Sequence, residues 1–293
     1  MADECRGDLP SDEVAPEAGA GLQYYRERGG ASRQAFREGR EIGVLRRAAR
    51  VGVEAHSEVI RSTRPGVAEK SLEAVFQFVC RLRGAVDMAY PPILMSGKNH
   101  AFGHYHKHDR TLRAGDFVIL DAGPALADYH ADISTSFPAS GKFTPRQKEL
   151  YEAALAVRDV CLATYRPGLA FREVGAAIEA MLEAKKLEAY AGDFRGVIRY
   201  GGYNHMIGMA THDVAGTFAG PDEVLVPGLV FACDIQLFRL EEEIGIRIED
   251  TVAVTETGCE NLSAGLPRTV AEIEALMNKD GLLRLYDAAR PKR

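Results

Sequence analysis

Apolar residues recur at three- and four-residue steps from Glu41 onward, with Ile42, Leu45, Ala49, Val53, His56 and Ile60 on one line. That period places them on one face of an amphipathic helix, and Arg64-Pro65-Gly66 breaks it. A second helical face follows in Leu72, Val75, Phe76, Val79 and Leu82, closed by Gly84. The pattern then changes. Stretches at 86–96 and 102–105 read as short strands, Phe117 to Leu120 is wholly apolar like a buried strand, and 126–138 reads as a further strand or hairpin. Thr144-Pro145-Arg146-Gln147 offers an N-cap threonine, a proline at the first helical position and a glutamine at the third. A helix is expected from there to about Tyr165. Arg166-Pro167-Gly168 ends it, and Val174, Ala177, Ile178, Met181 and Leu182 mark a fourth helix.

Set side by side, the two halves repeat. Each has an Arg-Pro-Gly turn between helices, at 64 and at 166, and apolar positions 72, 75, 76 and 79 correspond to 174, 177, 178 and 181. Gly115-Asp-Phe-Val-Ile-Leu-Asp121 is matched by Gly228-Leu-Val-Phe-Ala-Cys-Asp234. Both halves therefore run helix, turn, helix, strands, aspartate. This predicts an α+β domain with internal pseudo-twofold symmetry over residues 39–278. A loose arm rich in Gly, Pro, Glu and Asp is expected at 1–38, and a tail at 279–293.

The repeat concentrates acids. Beyond Asp121 and Asp234, a further carboxylate follows on the next β-like run of each half, Asp132 and Glu249. Pseudo-symmetry would gather all four, and His205, on a glycine-rich approach, would add a nitrogen. Buried carboxylates are costly unless a cation neutralises them, so the chain reads as a metal-dependent enzyme. The hard, mostly oxygen donor set suits Mn²⁺, Fe²⁺, Co²⁺ or Zn²⁺, and so many carboxylate oxygens suit two ions bridged by a water. Arg247 is expected to pair with a nearby acid. A net charge of -6 and pI near 5.8 give no basic face for nucleic acid. No apolar run reaches the roughly 18 residues of a membrane span, and the N-terminus lacks the apolar core of a signal peptide. Five cysteines without paired spacing fit reduced thiols in a cytoplasmic protein.

The motifs also carry a resemblance. Asp121-Ala-Gly, Asp132-Ile-Ser-Thr-Ser-Phe-Pro, Gly141-Lys-Phe-Thr, His205-Met-Ile-Gly, Thr211-His212-Asp213 and Gly245-Ile-Arg-Ile-Glu249-Asp are similar to the pita-bread metallopeptidases, family M24. His104-Tyr105, seventeen residues before Asp121, resembles the aminopeptidase P and prolidase branch in particular. The likeness spans about residues 41–265. It implies the pita-bread fold, a centre of two divalent ions with Mn²⁺ foremost, a homodimer, and cleavage of Xaa-Pro bonds in small peptides by a metal-bridging hydroxide. Carried over, Asp121 is a terminal ligand, Asp132 and Glu249 bridge, and His205 binds one ion. Asp234 takes the place of a ligand and proton shuttle. His104 and His212 become outer histidines that hold substrate and stabilise the tetrahedral intermediate.

Four departures stand out. Asp234-Ile235-Gln236 replaces the family's usual Glu-Pro-Gly, Ser134 stands where an arginine is usual, Gly201 falls where a further histidine commonly sits, and the length is expected to leave no room for the separate N-terminal domain of proline-specific members. The altered acid motif keeps open an enzyme of the same fold acting on a small non-peptide metabolite, by C–N hydrolysis or elimination. A non-catalytic binding protein is the remaining alternative, against which five ligand-competent residues argue. Of the alternating His104, His106 and His108, the first is the functional candidate and the other two are expected to face solvent.

Overall fold

The helical faces expected from the sequence form, except at Leu82, which is 68% exposed at the end of its helix, and the two halves form them in the same way. In a computed structural model that describes residues 39–213 and 220–289, α1 (Gly39–Ser62) buries Leu45, Ala49, His56 and Ile60. α2 (Glu69–Leu82) buries Leu72, Val75 and Phe76. Their counterparts are α3 (Pro145–Thr164), which starts at the expected Thr144 capping box, and α4 (Phe171–Ala184), which buries Val174 and Ile178. The arm expected at 1–38 lies outside the described residues.

The equivalence reaches single hydrogen bonds. Gly66 N donates to Leu112 O and Leu112 N returns to Val67 O, while Gly168 N donates to Leu225 O and Leu225 N to Leu169 O, all at 2.8–2.9 Å. Ala68 and Ala170, the caps of α2 and α4, share nearly the same backbone angles (φ -80, ψ 142 and φ -85, ψ 148). Each forms a lone bridge to the chain ahead of the following strands, at Thr111 and Val224.

The strands are β1 (Asp87–Met88), β2 (Ile93–Ser96), β3 (Phe117–Asp121), β4 (Pro124–Leu126), β5 (Tyr129–His130) and β6 (Ser134–Pro138) in the first half. The second half has β7 (His205–Met206), β8 (Val230–Arg239), β9 (Ile244–Val254) and β10 (Cys259–Asn261), with the short helix α5 (Arg195–Tyr200) ahead of β7. The main sheet is antiparallel in the order β2-β3-β6-β9-β8-β7, with β10 added on β9. Read from either end, the order pairs β2 with β7, β3 with β8 and β6 with β9. β1, β4 and β5 make a separate small sheet.

The helices cover one face of the main sheet. Val59, Leu72, Phe76, Leu150, Val157 and Phe171 pack there against Val118, Leu120, Phe231, Ile235 and Ile246. At the centre the two halves meet through one ladder pair, Ser134 with Glu249. Side chains reinforce this seam. Ser136 Oγ donates to Arg247 O at 3.0 Å and accepts from Arg247 N at 2.8 Å. On the helix side, Arg268 donates to Ser134 O and Glu249 O, both at 2.6 Å, and to Asp250 at 2.7 Å. Burial works against the Asp250 charge, yet Arg268 and Arg158 together hold its carboxyl down at about 2. Two closing helices follow, α6 (Val270–Met277) and α7 (Leu282–Ala289), and α7 docks on the end of α1 through Leu283 N to Ser62 Oγ at 3.3 Å. Among the described residues, no helix is long and apolar enough to cross a membrane.

Two expectations fail between residues 97 and 110. Residues 102–105 are not a strand: Gly97–Phe102 is a 3-10 turn and the chain stays irregular to Arg110. Its alternation of His, Lys and Asp offers no apolar face to bury, and Gly97 and Gly103 turn the chain with φ of 52° and 65°. His106 is exposed, but His108 is not solvent-facing. It is buried with its Nδ1 2.7 Å from Glu73.

His56 supplies a test of the helix–sheet contact. It is fully buried, bonded at 2.9 Å to Thr135 Oγ1 and to Ala122 O, and burial pushes its pKa down to about 3. Below about pH 6.5 the unfolded chain takes up a proton that the folded one refuses, so this share of stability is present above pH 6.5 and is lost as pH falls towards 3. The slope approaches about 1.4 kcal/mol per pH unit. Urea midpoints between pH 7 and pH 4.5 should fall more steeply for the parent than for His56→Gln; parallel slopes would contradict it.

Candidate metal centre

Successive strand residues point to opposite faces. On β3, Val118 and Leu120 join the helix-side core, so Ile119 and Asp121 turn to the open face. Likewise Cys233, Ile235 and Leu237 face the helices from β8, which sends Asp234 and Gln236 to the other side. On β9, Ile246 and Ile248 go inward, and Arg247 and Glu249 outward. Register completes the placement: Asp234 lies across the ladder from Glu249, Gln236 from Arg247, and Ser134 from both Asp121 and Glu249.

Asp132 arrives just ahead of β6. Thr251 clamps its backbone, accepting from Asp132 N at 3.0 Å and donating to Asp132 O at 2.8 Å. Gly123 makes the approach possible, because a Cβ there would lie 1.7 Å from Ala131 O. Only glycine lets residues 121–123 and 131–133 run this close, which brings two carboxylates of the first half together.

Asp132, His205 and Glu249 offer donor atoms that all lie within 4.8 Å of one another. His205 Nε2 is 3.4 Å from Asp132 Oδ2 and 3.6 Å from Glu249 Oε1. Its Nδ1 meets Thr211 O at 2.9 Å, which orients the ring and leaves Nε2 toward the acids. Asp121 and Asp234 stand beside this trio, tied to each other by Arg247. The guanidinium pairs with Asp121, bonds Asp234 Oδ2 at 2.8 and 3.1 Å, and comes within 3.8 Å of Glu249. Tyr90 sets its hydroxyl between Asp121 and Asp132, with one proton to donate to either. Ser134 Oγ donates to Glu249 Oε2 at 2.7 Å.

Two buried oxygens, Asp234 Oδ1 and Glu249 Oε1, have no hydrogen-bond partner. Such atoms are expensive to leave unpaired. Four carboxylates and an imidazole, with unpartnered oxygens among them, fit divalent transition-metal ions. The protonation pattern says the same. Burial, then the neighbouring charges of Glu249 and Asp121, raises the Asp132 carboxyl well above the usual range. Burial also raises Asp121, against the pull of Arg247. Burial opposes the His205 charge, but the neighbouring carboxylates of Glu249 and Asp132 outweigh it and raise the imidazole to about 9. Positive charge is wanted here.

The two outer histidines sit at the margin. His212 is exposed and stacks flat on His205, ring centres 3.9 Å apart and planes 9° from parallel. Burial of part of its ring and the nearby His205 lower its pKa. His104 is exposed on the turn that leads to β3, and its charge bears on Asp121 and on His212. Tyr90 gives no warning in the sequence, lying in an Ala-Tyr-Pro-Pro run without periodicity, and Gln236 is visible only as part of the altered acid motif. Gly201 ends α5 in the left-handed region at φ 69°, and a Cβ there would lie 2.5 Å from Phe171 O.

With this geometry in hand, similarity to known proteins becomes specific. Residues 43–256 match the model of metallopeptidase family M24, and the chain belongs to that family. It is 36% identical over 260 residues to an Xaa-Pro aminopeptidase of Escherichia coli (strain K12), covering 83% of this chain and 59% of that protein. An Xaa-Pro dipeptidase of Mus musculus is 30% identical over 295 residues, covering 83% and 60%. Among solved structures, proline aminopeptidase P II from Yersinia pestis superposes with a TM-score of 0.76 at 34% identity, over 84% of this chain and 61% of that one. A variant of Escherichia coli aminopeptidase P in complex with substrate gives 0.74 at 33% identity, over 84% and 60%. The expected pita-bread fold is thus present, and the chain spans about three-fifths of the length of the curated relatives it matches.

Two outcomes follow from the site. Because His205 holds its proton up to about pH 9, Mn²⁺ added to chelator-treated protein at pH 7 should release at least one proton per chain. Its affinity should rise by about tenfold per pH unit towards pH 9. Calorimetry in buffers of different ionisation enthalpy measures this, and uptake without proton release would refute it. Separately, Gly201→His should destabilise the fold by about 1–3 kcal/mol, since a non-glycine residue is strained there; an unchanged urea midpoint would count against that.

Proposed function

We propose that this chain is a hydrolase dependent on two divalent transition-metal ions, Mn²⁺ foremost, that cleaves Xaa-Pro bonds in small peptides. The observation that carries the proposal is the convergence of Asp132, His205 and Glu249 within 4.8 Å, beside Asp121 and Asp234 and with two buried oxygens unpartnered. Asp121, Asp132, His205, Asp234 and Glu249 would hold the ions. Bound there, the ions supply a water ionised near neutral pH and polarise the attacked carbonyl.

The chain's own groups do the rest. His104 and His212 approach from the exposed side, where imidazole N–H groups can donate to a carbonyl oxygen as it gains charge. Asp234 is the carboxylate placed to pass a proton to the leaving amine. An apolar strip of Ile93, Met95, Ile119 and Tyr105, with half-buried Phe238 packed on it, lies on the same sheet face as the acids. A proline nitrogen in an Xaa-Pro bond has no N–H to satisfy, so an apolar wall beside the centre suits it. The names of the relatives support the same substrate class. A homodimer is proposed as the assembly.

The test is a panel of Gly-Pro dipeptides and Xaa-Pro-Yaa tripeptides with Mn²⁺, Co²⁺, Fe²⁺ and Zn²⁺ supplied separately. Release of the N-terminal residue is expected. His104→Ala should lower kcat/KM by about 10²–10³-fold with bound metal per chain unchanged. Protein that holds metal but turns over no Xaa-Pro peptide would favour chemistry on a small non-peptide metabolite, for which the Asp234-Ile235-Gln236 motif is the motive. Protein that takes up no metal on reconstitution would favour a binding role.

A further inference from the structure

The two oxygens of Asp234 are treated very differently. Oδ2 accepts from Arg247 Nη2 at 2.8 Å, from Arg247 Nε at 3.1 Å and from the side-chain amide of Gln236. Oδ1 is buried and accepts from nothing. Gln236 can do this because it lies two residues along β8, on the same face as Asp234 and opposite Arg247 in the ladder. Its amide N–H is therefore a donor built into the strand that carries the acid.

We propose that Gln236 is a positioning residue: with Arg247 it ties down Oδ2 of Asp234 and leaves Oδ1 as the single atom the carboxylate presents to a metal ion. The proposal rests on the metal-centre function proposed above. Its physical content is orientational. A carboxylate free to rotate about χ2 offers either oxygen or both, whereas three donors on one oxygen fix the carboxylate plane and occupy that oxygen, so that facing an ion and relaying a proton both fall to the two lone pairs of Oδ1. Aspartate reaches about 1.5 Å less far than glutamate, and the amide holds the oxygen that Arg247 also binds. Asp234 and Gln236 then work as a pair, a short acid with a donor behind it. Alone, either would be mismatched to the position.

The experiment measures Mn²⁺ affinity of the chelator-treated full chain by calorimetry, for the parent, Gln236→Met, Asp234→Asn and the double variant. Met keeps the length of Gln and removes the donor at a half-buried position, and thermal unfolding of the metal-free variants confirms that they fold. Gln236→Met is expected to weaken Mn²⁺ binding by about 10- to 100-fold, the usual effect of removing a hydrogen-bond partner of a ligand, while metal-free melting stays near the parent's. Because Gln236 acts through Asp234, the double variant should bind no more weakly than Asp234→Asn alone. The Co²⁺ absorption spectrum of Gln236→Met should also shift, since the orientation of one ligand changes. A Gln236→Met Kd within twofold of the parent's, or losses that simply add in the double variant, would overturn the proposal and leave the metal centre standing. A parent that takes up no Mn²⁺ would instead overturn the metal centre itself and this proposal with it.

Discussion

Mutual repulsion among four buried carboxylates is the constraint around which this molecule is arranged. Two like charges about 4 Å apart cost roughly 4 kcal/mol at the effective dielectric of a protein surface, and more where water is excluded. Asp121, Asp132, Asp234 and Glu249 are all buried, so the fold holds them together only by supplying compensation. Arg247 is the internal share of it, pairing with one aspartate from each half. Protons on Asp132 and His205 are another. Both mark a centre whose buried acids call for positive charge.

That constraint also explains where the site lies. Pseudo-twofold halves place equivalent strands on either side of an axis between β6 and β9, and the acids of each half end beside it. A ladder joined by one residue pair at that axis would be a weak place to concentrate charge. The seam is instead fastened by side chains on both faces. Arg247 and Ser136 fasten it among the acids, and Arg268 fastens it from the helix side by gripping the carbonyls of Ser134 and Glu249. Each arginine has a buried carboxylate partner, so neither cation is left uncompensated. The sheet is thus cross-braced at the place where the acids converge.

Much of this was legible in the sequence. Helical periodicity, two Arg-Pro-Gly turns and the matched glycine-to-aspartate strands gave four helices, two key strands and their symmetry, because each rests on local chemistry that tertiary contacts reinforce. The three donors that converge most closely, Asp132, His205 and Glu249, were all among the expected ligands. What escaped depends on contacts between distant segments. Tyr90 meets Asp121 and Asp132 only after the small sheet folds beside β3, and no spacing announces it. The alternation at 104, 106 and 108 reads as a strand, whereas glycines at 97 and 103 curl the chain and His108 is buried against Glu73. Gln236 was noticed as a departure, but its bond to Asp234 emerges only from the pairing of β8 with β9.

The end of α5 shows how firmly such a departure can be set. Gly201 is left-handed, its carbonyl accepts from Tyr165 and Asn204, and its Cα hydrogen faces the backbone at Phe171. Placing an imidazole at 201 therefore calls for rebuilding the helix terminus and its packing on Phe171, several coordinated changes rather than one codon.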